Sequence, residues 1–231
     1  TMPTHKSNYV RNIGVPQFGT EMKLVPFGDK YEVRLKGPHI TPGYWKDKVN
    51  TKKSFDNEGY FKIGDALKFK DKLNPEKGFY FDGRIAENFK LNTGTWVSVG
   101  NVRSKLLDAL GGIVIDAIIV GEDQEYLSAF LIPDISFCSS LLNLNIQDSE
   151  EKILSHQILK NKILEILTSY KNNNHSKSQY IKKVVFFRDV LSKAKGEITD
   201  KGSINQIKFI LNRDQLVKKL FTNQLKDIIS L

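Results

Sequence analysis

Residues 59–84 read GYFKIGDALKFKDKLNPEKGFYFDGR, short runs of alternating apolar and polar side chains broken by Gly, Asp, Asn and Pro. A period of two puts successive side chains on opposite faces of a pleated chain, so GYFKIGD, ALKFKD and GFYFDGR read as strands. Upstream, TEMKLVP (20–26) and YEVRLKG (31–37) repeat the pattern. Turn residues separate the runs: Gly28-Asp29, Pro42-Gly43, the tetrad Asp56-Asn57-Glu58-Gly59, Asn74-Pro75 and Asp82-Gly83. A small twisted antiparallel sheet or barrel is expected between Gly19 and Gly83.

After Arg84 the period changes. NFKLNTGTWVSV predicts a hairpin with a glycine-containing loop, and NVRSKLLDALGG predicts a helix, with Val102, Leu106, Leu107 and Leu110 at helical spacing and glycine as the stop. GGIVIDAIIVGEDQEYLSAFLIPD predicts two strands around the turn Gly121-Glu122-Asp123-Gln124; the unbroken apolar run of the first implies burial on both faces. Ser149 to Tyr170 reads as one helix with a Ser start and an acidic first turn. KNNNHSKSQ is a polar loop, Lys182 to Phe187 a strand, LSKAKGEITDKGS a loop, and Asn205 to Leu231 mostly helical. The fold class is therefore α+β, with a β-rich part over 1–86 and a mixed α+β part over 87–231, divided near Arg84 to Asn88 by a very short connection.

Composition narrows the function classes. The 231 residues are 40% hydrophobic, enough for a buried core. Lys plus Arg 35 against Asp plus Glu 26 gives +9, split as 16 − 10 = +6 over 1–86 and 19 − 16 = +3 over 87–231, with no basic block in either half. A solvated lysine surface accounts for this without a nucleic-acid partner. Cys138, the one cysteine, excludes an internal disulfide, and His5, His39, His156 and His175 show no zinc spacing, so no metal site is expected. The most apolar stretch, Gly111 to Val120, is far shorter than the roughly 20 residues of a membrane-spanning helix. A cytoplasmic, reducing location with no membrane partner is the expectation. The start at Thr1, without Met or a signal pattern, suggests a piece of a longer chain.

Three motifs in order carry a resemblance: GPHITPGYW (Gly37 to Trp45), YFKIGD (Tyr60 to Asp65) and GRIAENFK (Gly83 to Lys90). They resemble the Gly-rich GYW, TGD-like and GRxxDxxK segments of the adenylate-forming enzymes, a superfamily that includes acyl-CoA synthetases. KLNTGTWVSVG (Lys90 to Gly100) and GEITDKGSINQ (Gly196 to Gln206) look like the feruloyl-CoA synthetase branch. The likeness is close over roughly residues 13–138, returns over 180–212 and is poor between them. It implies a C-terminal portion of an acid–CoA ligase: a small antiparallel β subdomain of the large AMP-binding domain over 1–86, incomplete, then an α+β lid domain over 87–231.

The implied chemistry has two steps. A carboxylate, by the branch resemblance that of a feruloyl or other hydroxycinnamoyl acid, attacks the α-phosphate of ATP and releases pyrophosphate; the CoA thiol then displaces AMP. By this resemblance Asp65 accepts hydrogen bonds from the ribose hydroxyls, Arg84 also reaches the ribose, and Glu87 stands at the hinge where most members have Asp or Lys. Lys201 is the lid lysine that meets charge growing at the α-phosphate, with Lys193 and Lys195 as alternatives in the same loop. Lys90 closes the GRxxDxxK match, and Gly94, Thr95 and Trp96 lie where the lid lines the pantetheine channel, Thr95 replacing a glutamate frequent elsewhere.

Each of these residues also has a local reading. Asp65 is a turn former, Arg84 a surface side chain after an Asp-Gly hairpin turn, Glu87 and Lys90 solvated charges, Trp96 a core anchor and Lys201 one of several solvated lysines. Two departures stand out: GEITDKG replaces the usual GKxxR surroundings of the lid lysine, with Glu197 after the glycine, and no phosphate loop ending in Pro-Lys occurs. The expected partners are the carboxylic acid, ATP, CoA and a missing N-terminal portion that binds most of the Mg; the isolated chain is expected to be inactive. An inactive remnant and a basic nucleic-acid- or protein-binding module are the competing readings.

Overall fold

The computed structural model describes residues 1–9, 12–28, 30–145, 147–173, 176 and 178–231. Asp29 of the expected Gly28-Asp29 turn, and Asn174, His175 and Lys177 of the polar loop, lie outside them. The described chain forms two compact units, Thr1–Ala86 and Glu87–Leu231.

In the first unit, β1 (Asn12–Gly14), β2 (Glu21–Phe27), β3 (Lys30–Lys36), β4 (Phe61–Phe69) and β5 (Phe79–Arg84) make one sheet in the order β1-β5-β4-β3-β2, every pairing antiparallel. Val33, Leu67 and Phe79 are buried on it, backed by Leu24, Leu35, Ile63 and Phe69. The tetrad at Asp56 closes the turn into β4: its carboxylate accepts from the Glu58 and Tyr60 amides at 3.0 Å and from Arg34 and Lys23 at 3.1 Å.

Two expectations change here. GYFKIGD and ALKFKD are one strand, because Gly64, at φ +77°, bends β4 without ending it. Asp82-Gly83 is likewise inside β5 and not a turn; Gly83, at φ +87°, kinks the strand just before Arg84. A short helix α1 (Lys48–Ser54) was not expected from the sequence, since it buries no residue and so carries no apolar period. Its start is set by Asp47, which accepts from the Asn50 amide at 2.9 Å.

The second unit begins with a hairpin, β6 (Phe89–Lys90) and β7 (Trp96–Val97), then α2 (Val99–Leu110). A mixed sheet follows: β8 (Val114–Val120) antiparallel to β9 (Leu127–Pro133), with β10 (Ile181–Phe186) parallel to β9 and β11 (Ile229–Ser230) antiparallel to β10. The parallel step requires a crossover, and α3 (Ile135–Leu141), α4 (Glu150–Leu154) and α5 (Gln157–Asn172) supply it. Last come α6 (Gln206–Asn212) and α7 (Asp214–Phe221).

Both faces of this sheet are covered, which explains the unbroken apolar run of β8. Ala117 and Ile119 face the cluster containing Val102, Leu106, Leu159 and Ile163, whereas Ile118 and Val120 face Phe209 and Leu220. Burial of each large apolar side chain contributes about 1.5–3 kcal/mol.

The expected single helix over 149–170 is two. Ser155 bonds back to the Glu151 carbonyl at 2.6 Å, and His156, in extended backbone, caps α5 by accepting from the Ile158 amide at 3.3 Å. The C-terminal stretch is mostly helical as expected, and its residues 229–230 join the sheet as β11.

Candidate active site

Asp65 on β4 and Arg84 on β5 are directly paired across the antiparallel ladder, so both side chains leave the same face. Each follows a glycine held at positive φ, Gly64 and Gly83, and each kink lies beside an irregular register. A guanidinium nitrogen of Arg84 stands 2.8 Å from Asp65 Oδ1, and the same Nη1 donates to the Ile63 carbonyl at 3.2 Å. The contact with Asp65 is an ion pair off the hydrogen-bond direction: Oδ1 is buried and has no hydrogen-bond donor among the described residues. Burial pushes the Asp65 carboxyl above its ordinary pKa, and Arg84 opposes that shift. Arg84 itself is 56% exposed at the side chain. The pair thus combines a fork of donors open to solvent with a carboxylate oxygen that still lacks a proton donor.

The other anticipated residues belong to the second unit. Glu87 ends a one-turn 3-10 helix, Ile85–Glu87. In the β6–β7 hairpin, Phe89 pairs with Val97 and Lys90 with Trp96. Phe89 and Val97 are buried, which leaves Lys90 and Trp96 on the outer face, with the Lys90 ammonium 4.9 Å from the indole centroid. Trp96 is 41% exposed, so the core-anchor role falls to its neighbours and not to the indole. Gly94, at φ +78°, closes the loop with its amide 2.8 Å from the Leu91 carbonyl, and Thr95 Oγ1 bonds Thr93 Oγ1 at 3.0 Å. The Asp123 amide donates to the Lys90 carbonyl and the Asn92 amide to the Gln124 carbonyl, both at 3.0 Å, and this docks the hairpin on the β8–β9 turn.

Lys201 sits at the tip of a second, miniature hairpin. Ile198 and Ile204 form its bridge, Thr199 and Ser203 bond through both backbone and side chains, and Gly202 turns the chain at φ +80°. Lys201 is exposed there, as are Lys193 and Lys195 in the loop before it.

The residue that holds this segment is Glu197. Its carboxylate is 1% exposed and accepts from Arg213 Nε at 3.0 Å, Arg213 Nη2 at 3.1 Å and the Ser192 amide at 2.7 Å, while its carbonyl accepts from the Asn205 amide at 2.8 Å. Arg213 holds the Glu197 carboxyl below its usual pKa. The guanidinium in turn lies 4.7 Å from the Phe187 ring centroid and donates to Asp189. Glu for Lys after Gly196 therefore changes a charge into an internal clamp. The sequence marked Glu197 as a departure but offered no sign of Arg213, which is 16 residues away and meets it only through the α6–α7 corner.

Other pockets lie away from these residues. A cavity of about 380 Å³ between the Gly121–Gln124 turn and α7 includes Phe89 but none of the anticipated residues. Among the described residues no group of three or more His, Cys, Asp or Glu could hold a metal ion, and no helix is long and apolar enough to cross a membrane.

No protein-family profile matches the chain. It is 24% identical over 181 residues to probable acyl-activating enzyme 16, chloroplastic, of Arabidopsis thaliana, a match covering 71% of this chain and 25% of that protein. It is 24% identical to fatty acyl-CoA synthetase B of Dictyostelium discoideum, covering 99% of this chain and 32% of that protein. A solved structure, the A domain of carboxylic acid reductase from Segniliparus rugosus in complex with AMP and a co-purified carboxylic acid, superposes with a TM-score of 0.68 at 17% identity, over 89% of this chain and 32% of that one. The fold is that of such adenylation domains. Acyl-CoA and acyl-carrier-protein ligases are among the curated proteins the chain resembles, and it spans about a quarter to a third of the length of the relatives just named. These similarities do not show the feruloyl branch suggested by KLNTGTWVSVG and GEITDKGSINQ.

Proposed function

We propose that this chain contributes the ribose contact and the lid cation of an acid–thiol ligase. In the first step a carboxylate oxygen bonds to the α-phosphorus of ATP and pyrophosphate leaves; in the second a thiol sulfur bonds to the acyl carbon and AMP leaves. Asp65 and Arg84 hold the nucleotide sugar, Lys201 meets charge developing at the phosphate, and the outer face of Lys90, Gly94, Thr95 and Trp96 lines the path of the thiol carrier. Glu87 is the pivot between a β subdomain, 1–86, and a lid, 87–231.

One observation carries the reading: Asp65 Oδ1 is a buried acceptor without a hydrogen-bond donor, beside a solvent-exposed guanidinium. A vicinal diol supplies two O–H donors to such a carboxylate. GEITDKGSINQ and KLNTGTWVSVG favour a hydroxycinnamic acid as substrate, with fatty acids the natural comparison given the relatives.

The test is titration of the chain with AMP and with 2′,3′-dideoxy-AMP, followed by backbone amide NMR. AMP shifts the signals of Gly64–Leu67 and Gly83–Arg84, the dideoxy nucleotide does not, and Asp65→Asn removes the response. Shifts that ignore the sugar hydroxyls, or none at all, sink the ribose assignment.

A further inference from the structure

We propose that the end of the first unit formed by residues 44–53 is a docking surface for an anionic phospholipid bilayer. This proposal does not depend on the ligase reading. Lys46, Lys48, Lys52 and Lys53 are all exposed, and none makes an ion pair among the described residues. Asp47, the one carboxylate in the stretch, is occupied as the cap of α1, accepting from the Asn50 backbone at 2.9 Å and bonding its side-chain amide at 2.6 Å. Four cations against one committed anion leave a net positive surface, although the sequence spreads them thinly enough to read as ordinary solvated lysines.

The same stretch exposes what a soluble surface normally hides. Trp45 is 87% exposed, Val49 65% and Tyr44 51%, and α1 buries no residue of its own. Val49, Lys52 and Lys53 are three and four residues apart and therefore share one face of the helix. The Lys46 ammonium lies 5.8 Å from the Trp45 ring centroid. A further exposed aromatic, Phe18 at 99%, sits on a turn tied to the segment leading into this patch by the Thr20–His39 hydrogen bond of 2.9 Å.

Charge alone suits any polyanion; the apolar part decides between them. Trp and Tyr settle at the headgroup level of a bilayer, and lysines flanking them extend their ammonium groups to anionic phosphates while their stems lie along the apolar boundary. Recognition of single-stranded nucleic acid instead needs aromatic faces spaced along a basic groove, and here the apolar side chains lie on a short convex helix and its approach. That no helix among the described residues is long and apolar enough to cross a membrane is compatible with this, because such a contact is peripheral.

The experiment uses the full chain with Trp96→Phe, so that emission reports Trp45 alone. Sedimentation with vesicles of phosphatidylcholine plus phosphatidylserine is compared with phosphatidylcholine vesicles, inorganic phosphate and a single-stranded oligonucleotide. The expected result is binding to the serine-lipid vesicles only, a blue shift of Trp45 emission, and weakening on adding salt. Lys52→Ala/Lys53→Ala lowers the affinity about thirtyfold, at about 1 kcal/mol for each lysine near an anionic leaflet. These side chains are exposed, so the variant keeps the fold, and wild-type sedimentation decides the matter independently. Failure to bind vesicles, binding with unshifted Trp45 emission, or binding indifferent to the two lysines overturns the proposal; oligonucleotide binding without vesicle binding reassigns the patch to nucleic acid.

Discussion

Glu197 and Arg213 form a buried pair, with Nε to Oε1 at 3.0 Å and the carboxylate 1% exposed, at the base of the loop and hairpin that present Lys193, Lys195 and Lys201. Truncating Glu197 leaves Arg213 with Asp189 and the Val190 carbonyl as its remaining acceptors and frees the Ser192 amide, which costs about 1–3 kcal/mol. Glu197→Ala therefore lowers the denaturation midpoint of the second unit and speeds amide exchange over residues 192–205. Replacing both by Met costs less than the sum of the single changes. A change under 1 kcal/mol for the single variant would show that solvent already screens the pair.

The same pair sets an acid limit. Arg213 depresses the Glu197 pKa in the folded state, so its contribution is complete above the unfolded value of about 4.3 and drains away as the pH falls through the lower folded value. Wild type and Glu197→Gln should converge in stability in that acid range, as followed by urea denaturation at stepped pH.

Asp65 behaves in the opposite sense. Burial raises its folded pKa, so the group favours folding below the unfolded value of about 3.9 and loses that favour as pH rises through the folded value. Asp65→Asn is thus expected to match or exceed wild-type stability at neutral pH, by less than about 1 kcal/mol, while losing the AMP response. A clearly destabilised Asn variant would mean that the ion pair with Arg84 is structural.

Gly64 has open space where a Cβ would stand, so substitution there meets backbone strain and nothing else. At φ +77°, Gly64→Ala costs about 1–2 kcal/mol, and Gly64→Asn costs less because Asn tolerates the left-handed region. Thermal unfolding of the three proteins orders them.

Cys138 is fully buried, its thiol donating to the Ile113 carbonyl at 3.4 Å, and burial pushes its pKa up to about 11. It should resist thiol reagents at pH 8 until the second unit is unfolded; rapid labelling of the native chain would contradict the packing.

Lys201, exposed at a hairpin tip, should tolerate Ala without loss of stability. Where the chain is joined to the ligase segment that its relatives carry beyond the match, Lys201→Ala lowers acid-dependent pyrophosphate release by about 10²–10³-fold, the scale of one electrostatic stabiliser. An equal loss with Lys193→Ala or Lys195→Ala would move the role to those residues.

Strands of the first unit, the α2 helix and the β8–β9 pair were legible because each writes its period into apolar side chains, as Val102, Leu106 and Leu110 do. What escaped was carried by backbone and by distance. The kinks at Gly64 and Gly83 look like turns in sequence and prove to be bends inside strands, and α1 and α3 are set by the caps Asp47 and Asp134 with few buried residues. Asp65 and Arg84 could be named as candidates, but their direct pairing depends on the register between β4 and β5, which no local pattern encodes. The partner of Glu197 was out of reach for the same reason.

The last strand covers the edge of β10 in the second sheet: Ile229 pairs with Val184, and the Leu231 amide donates to the Lys182 carbonyl at 3.0 Å. During synthesis, β10 must wait with one edge open until residues 229–231 have cleared the ribosome. Nascent chains halted just short of that point would expose an unpaired β10 ribbon to one another.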